Sequence, residues 1–234
     1  MMRNNFEASS AAMIALKLDP DQSNAYYVLS VLSLRSGSFG IAYERAKRAI
    51  EIDPTFAVAY KVKSDALVGS FSKQASTVIL SPEDRYKMLE EAADDLESYI
   101  RLSPARKNPN EATEYLESIK FFAEYYRQPE NLHPTPLLIE RTDDLNETPL
   151  RILTRPRATY TNSARNAGVQ GTVLLRVAFM ASGKIRHIMV VKPLEASLDR
   201  QAILAAQRIT FEPAKKNGVP ISVVKQVEYS FTIF

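Results

Sequence analysis

Ile221-Ser-Val-Val-Lys-Gln-Val-Glu-Tyr-Ser-Phe-Thr-Ile233 alternates with a period of two almost to the end of the chain. Ile221, Val223, Val227, Tyr229, Phe231 and Ile233 face one way, interrupted only by Lys225, while Ser222, Val224, Gln226, Glu228, Ser230 and Thr232 face the other. An apolar face backed by a mostly polar one describes an antiparallel strand with one side against a core and the other in water. The same period holds upstream. Thr172 to Phe179 places Val173, Leu175, Val177 and Phe179 on one face, and Ala181-Ser-Gly-Lys184 is a hairpin signal leading into a second strand, Ile185 to Lys192. A helix opens at Ser197-Leu-Asp199 and carries Leu198, Ala202, Ile203 and Ala206 on one side. The expected order is strand, strand, helix, strand: an α+β domain whose sheet is covered on one side.

Before this domain the pattern changes. Residues 129–148 hold Pro129, Pro134 and Pro136 among acidic and polar residues, with no sustained apolar period, and read as a linker between residues 5–128 and 149–234. The front segment repeats: Ala15-Leu-Lys-Leu-Asp-Pro20, Ala49-Ile-Glu-Ile-Asp-Pro54 and Tyr99-Ile-Arg-Leu-Ser-Pro104 align, with their prolines 34 and then 50 residues apart. Thirty-four is the period of the tetratricopeptide repeat, a helical hairpin whose second helix stops at a proline. Counted back from Pro54, the residues Tyr26, Leu29, Gly37, Ala42 and Ala49 resemble that family's aromatic, leucine, turn glycine and small packing positions. Ala46 stands where the family has an aromatic, so that hairpin is expected to be lightly packed. In the longer second unit, Ser81-Pro-Glu-Asp84 supplies an N-cap, a first-turn proline and first-turn acids for a helix reaching about Leu102. Phe6 to Leu18 reads as a lone second helix, as at the cut end of a longer array, and Asn110 to Gln128 as a closing helix. An amphipathic helix bundle is the plainer alternative. A repeat array has a concave face for a protein partner; Lys61 and Lys63 are candidates to clamp a partner's carboxylate there, though two helical lysines more often form a solvated face.

Composition excludes several functions. Across 234 residues, 45% are hydrophobic and 24% charged, ordinary for a folded protein. The absence of cysteine removes disulfide scaffolds, thiolate metal sites and cysteine nucleophiles. Only His133 and His187 could serve a histidine-based metal site or a catalytic triad. The carboxylates Glu195, Asp199, Glu212 and Glu228 have no paired or metal-binding spacing, and Asp199 reads as a helix-dipole partner. No enzyme, cofactor or metal is therefore expected. No stretch reaches the roughly 18 apolar residues of a membrane span, and no signal peptide is visible. The formal charge of +3 conceals an asymmetry: from Leu150 to Phe234 thirteen Lys and Arg face four Asp and Glu, a net of +9, against −6 for the rest.

Read in order, Tyr160, Ala164-Arg165, Gly168, Gly171-Thr-Val173, Gly183-Lys-Ile185, Val190-Val191, Leu198-Asp199, Ala202, Phe211-Glu-Pro-Ala214, Asn217-Gly-Val-Pro220 and Phe231 resemble the carboxy-terminal domain of TonB-type energy transducers. Two departures are Thr161, where proline commonly follows the tyrosine, and Thr210, where an aromatic commonly precedes Phe211. The resemblance implies a periplasmic, non-enzymatic domain. It implies binding of a peptide from an outer-membrane receptor as a strand added beside the last sheet strand, at Val224, Gln226, Glu228, Ser230 and Thr232. The segment Arg157 to Thr161, with Arg157 and Tyr160, would lie alongside. The physical basis is general: an edge strand presents unpaired N–H and C=O groups that an extended peptide satisfies. Where that family carries an amino-terminal membrane anchor and a long spacer, this sequence has a helical repeat and a short linker; either the anchor lies upstream of a cut start or the domain serves as a periplasmic binding module. The alternatives are an edge closed by homodimerisation or covered by the linker, or a basic domain that binds an anionic membrane surface. Nucleic acid is not expected, because Phe179, Tyr229 and Phe231 fall on buried faces rather than on a stacking platform.

Overall fold

Small residues at helical spacing let neighbouring helices approach closely, and the front unit is built on that rule. The computed structural model describes residues 2–74, 81–103, 109–128 and 146–233. The expected linker from Pro129 to residue 145, with Pro134 and Pro136, and the helix-stopping Pro104 lie outside those residues. The chain divides into two units, Met1–Leu132 and His133–Phe234, each described by itself.

The first unit holds α1 (Met2–Leu18), α2 (Ser23–Arg35), α3 (Phe39–Ile52), α4 (Ala57–Gln74), α5 (Pro82–Leu102) and α6 (Pro109–Arg127). Each packs on the next, and α2 also touches α4. Between α2 and α3, Gly37 takes φ +71°. Its N–H reaches Leu34 O at 3.0 Å, and the N–H of Ser38 reaches Ser33 O at 2.9 Å, closing the helix end in the manner that favours glycine. Ala42, Ala46 and Ala49 of α3 and Ala59 and Ala66 of α4 are fully buried. Ala46, expected to leave loose packing, is thus sealed from solvent. Gly69, inside α4, is explained by Phe39: a Cβ there would stand 2.5 Å from that ring. Ser81 caps α5, its hydroxyl accepting from Asp84 N at 3.1 Å. Leu89 and Leu96 of α5 and Ile119 and Phe122 of α6 form the interior, and Phe71 meets Tyr126 at 5.1 Å between centroids.

The second unit contains β1 (Glu147–Thr148), β2 (Arg151–Thr154), α7 (Asn162–Asn166), β3 (Gly171–Phe179), β4 (Ile185–Lys192), α8 (Ala196–Ala206), β5 (Thr210–Glu212), β6 (Ala214–Lys216), β7 (Val219–Ile221) and β8 (Val223–Phe231). The expected strand, strand, helix, strand series is present as β3, β4, α8 and β8, with β3 central in the antiparallel order β4-β3-β8. Val173, Leu175, Val177 and Phe179 are fully buried against Leu198, Ala202, Ala205 and Ala206 of α8.

Several details correct the sequence reading. The strand expected to run unbroken from Ile221 to Ile233 is interrupted at Ser222, whose Oγ accepts from Ala181 N at 2.9 Å. Ile221 belongs instead to β7. Glu147 and Thr148, within the expected linker, pair with Lys216 and Lys215 of β6. β6 and β7 form a hairpin around Asn217 and Gly218, both at positive φ, and β2 pairs with β5. The sheet's second face is not wholly polar: cross-strand partners share a face, so Met189, opposite Arg176, lies there, and it is 1% exposed. In β4 the register slips at His187, which takes φ 46°: Ile188 and Arg186 stand opposite the consecutive residues Val177 and Ala178, a bulge that bends the strand.

Candidate functional site

β8 bonds to β3 on one side and, among the described residues, to no strand on the other. Which residues turn their backbone to the open side follows from two bonds. Met180 N, at the end of β3, donates to Lys184 O across the β3–β4 hairpin, so the even-numbered residues of β3 address β4. The odd-numbered ones, Gly171 to Phe179, therefore address β8, where they stand opposite Phe231, Tyr229, Val227, Lys225 and Val223. Beyond the strand, Ile233 N also points back toward β3, donating to Gln170 Oε1 at 3.2 Å. The even-numbered residues of β8, Val224, Gln226, Glu228 and Ser230, thus direct N–H and C=O outward, and Thr232 extends the row.

Side chains alternate in step. Val227, Tyr229 and Phe231 are buried in the core with Val223 packed beside them, whereas Gln226, Glu228, Ser230 and Thr232 are exposed and Val224 is half-buried. Five of the seven expected partner-binding residues, Val224, Gln226, Glu228, Ser230 and Thr232, therefore share one backbone edge and one mostly polar face; Arg157 and Tyr160 lie on a different segment. Phe179, Tyr229 and Phe231 offer no base-stacking surface, being at most 5% exposed.

The segment from Arg155 to Thr161 lies along this strand. Pro156, Ala158 and Tyr160 are half-buried while Arg155, Arg157 and Thr159 are exposed. Tyr160 serves packing: its ring is 5.7 Å from Phe231 and 5.3 Å from the Arg165 guanidinium, and its hydroxyl donates to Val169 O. Thr161 has a local purpose as well. Its hydroxyl caps α7 by accepting from Ala164 N at 3.3 Å and meets Ser197 Oγ at 2.7 Å. Arg157 is exposed and meets none of the other expected contact residues. Arg155 lies over Tyr229, its guanidinium carbon 5.2 Å from the ring centroid. Burial pushes the Tyr229 hydroxyl up from its ordinary pKa, partly offset by the charges of Arg155 and Arg208. The period of two located Tyr229 on the core face; nothing in the sequence signalled that two arginines would converge on it.

Asp199 is a structural acceptor rather than a dipole partner alone. Its Oδ1 takes the N–H of Leu194 at 2.9 Å, while Glu195 caps α8 by accepting from Ser197 N and Leu198 N at 3.0 and 3.2 Å. Burial pushes the Asp199 carboxyl up to about 6, against that backbone bond. Among the described residues no group of three metal-ligating side chains occurs, and no helix is long and apolar enough to cross a membrane.

In the helical unit, Leu29, Ala42 and Ala49 are buried, Tyr26 is half-buried, and Gly37 and Pro54 sit at the turns. The two candidate clamp lysines are already occupied. Lys61 pairs with Asp65 at 2.7 Å, and Lys63 contacts Glu91 at 2.8 Å and Asp95 at 2.9 Å. Tyr43 OH donates to Glu91 at 2.9 Å, so α3, α4 and α5 share one polar cluster.

The family described as the Gram-negative bacterial TonB protein C-terminal matches residues 156–233, a third of the chain and the part that contains β3, β4, α8 and β8. No tetratricopeptide family matches the helical half, and no curated protein matches the chain.

Proposed function

We propose that this chain is a non-enzymatic adaptor of the bacterial envelope. It takes up an extended segment of an outer-membrane or periplasmic protein, such as a TonB-dependent receptor, as an added strand along β8, and its helical array holds a second protein. The observation that carries the reading is the open backbone edge at Val224, Gln226, Glu228, Ser230 and Thr232. An exposed strand edge binds extended peptides through main-chain bonds, with neighbouring side chains setting selectivity. The match to a domain family that binds proteins supports the same reading. The helical unit resembles a tetratricopeptide scaffold in period, turn chemistry and small-residue packing; with Lys61 and Lys63 paired internally, its partner is held by something other than a lysine carboxylate clamp.

The test is capture from envelope extract by the full chain, compared with its Val224→Pro and Gln226→Pro variants. Proline at these positions removes a donor from the open edge and spares the bonds to β3, so both variants fold and lose capture. Val227→Pro, which strikes the β3 ladder, serves as the unfolding control. Undiminished capture by folded edge variants would defeat strand addition.

A further inference from the structure

Arg155 follows β2 directly, and Arg208 lies two residues before β5. Because Thr154 stands opposite Thr210 in the β2–β5 pair, the ladder brings both arginines to one end of it. That end lies over Tyr229, with the Arg155 guanidinium stacked 5.2 Å from the ring centroid. The Tyr229 hydroxyl is buried; Arg155 approaches it as a donor, and no acceptor meets its own proton. Among the described residues, neither arginine has a carboxylate partner, although nearby Arg151 is paired with Glu212. Arg208 donates through Nε to Leu204 O at 3.2 Å, which leaves its terminal nitrogens free. Beyond the N–H turned toward the Tyr229 hydroxyl, stacking leaves in-plane N–H groups of Arg155 free to donate. A buried hydroxyl without an acceptor beside two uncompensated cations is costly in isolation and suits one kind of guest, an anion that accepts from all three.

We propose that Arg155, Arg208 and the Tyr229 hydroxyl form a carboxylate-receiving site at the rim of β8, filled by an acidic side chain of the extended peptide. The inference rests on strand addition at that edge. A strand added beside β8 places the residue opposite Tyr229 on the same sheet face, about 5 Å away between Cβ atoms, within reach of a glutamate or aspartate. Arg157, exposed on the same side of its segment as Arg155, adds a third positive charge along the approach. A lipid headgroup fits less well, because the hydroxyl is enclosed on the core face rather than presented on an open surface.

The experiment uses the full chain and two fluorescent nine-residue peptides of alternating Thr and Val, one with a central Glu and one with Gln instead, measured by anisotropy. The Glu peptide is expected to bind about tenfold more tightly, as for one charge-assisted contact. That preference falls to about twofold or less in Arg155→Gln, Arg208→Gln and Tyr229→Phe, and shrinks between low and high salt. Binding of the Gln peptide is unchanged in all three variants. Equal binding of the two peptides, abolished by Gln226→Pro, leaves strand addition standing and overturns the carboxylate site alone. Binding of neither peptide overturns both. If Arg155→Gln instead abolishes binding to phosphatidylglycerol vesicles while the two peptides remain indistinguishable, the guest is a headgroup and the proposal fails.

Discussion

Replacing Asp95 by asparagine tests the polar cluster that ties the helices together. Asp95 is 6% exposed on α5. Lys63 of α4 faces it at 2.9 Å, Glu91 and Asp94 of α5 add negative charge, and Tyr43 of α3 is bonded to Glu91. Burial pushes the Asp95 carboxyl from 3.8 up to about 6, with Lys63 offsetting only part of the cost. The folded state therefore holds a proton in a range where the unfolded chain has released it. Stability is greatest below about pH 4 as far as this group is concerned, falls as pH rises from about 4 to 6, and levels off above that. The gap between the two values sets a ceiling of about 3 kcal/mol at neutral pH, because Lys63, held against burial above its ordinary range by Glu91 and Asp95, favours the charged carboxylate. Glu91 acts in the opposite sense. Against the push of burial, bonds from Lys63 and Tyr43 hold its carboxyl below the ordinary range, so its contribution is lost only in stronger acid. Urea unfolding followed by helical circular dichroism between pH 4.5 and 8 measures the balance. The midpoint is expected to fall with rising pH in the native chain and to be nearly flat in Asp95→Asn, with the variant at least as stable at pH 7. A native midpoint that rises across this range, or a variant that keeps the native slope, refutes the assignment.

Two further outcomes follow from packing in the second unit. Phe179→Ala removes a fully buried ring that meets Phe211 edge-on at 4.9 Å; it should cost about 3–5 kcal/mol and melt the sheet before the helices, as seen by near-ultraviolet dichroism. Tyr160→Phe loses the bond to Val169 O and keeps the ring against Phe231, so a loss of about 1 kcal/mol by thermal unfolding with unaltered partner capture is expected.

Legibility followed length. The nine-residue β3 and β8, the eight-residue β4 and the helices hold enough periods to be read from sequence. The three-residue β5, β6 and β7 do not, and Pro213 and Pro220 disguise them further. Asn217-Gly218 is a hairpin signal all the same, but its flanking strands are too short to show a period. The bulge at His187 depends on partner register, which no single strand encodes. Alternation reports which residues of β8 face the core, and so which of them turn the other way. The groups that meet in space from distant positions were not readable: Lys63 and Asp95 stand 32 residues apart, and Arg155 and Tyr229 farther still.

Alternation along β8 divides labour between neighbours. Apart from the exposed Lys225, the odd-numbered residues hold both the ladder to β3 and the core, and the even-numbered ones hold the open edge and the solvent face. Substitutions at Gln226, Glu228, Ser230 and Thr232 are thereby insulated from folding. The chemistry of this edge can therefore drift, or be engineered, one residue at a time with little penalty in stability.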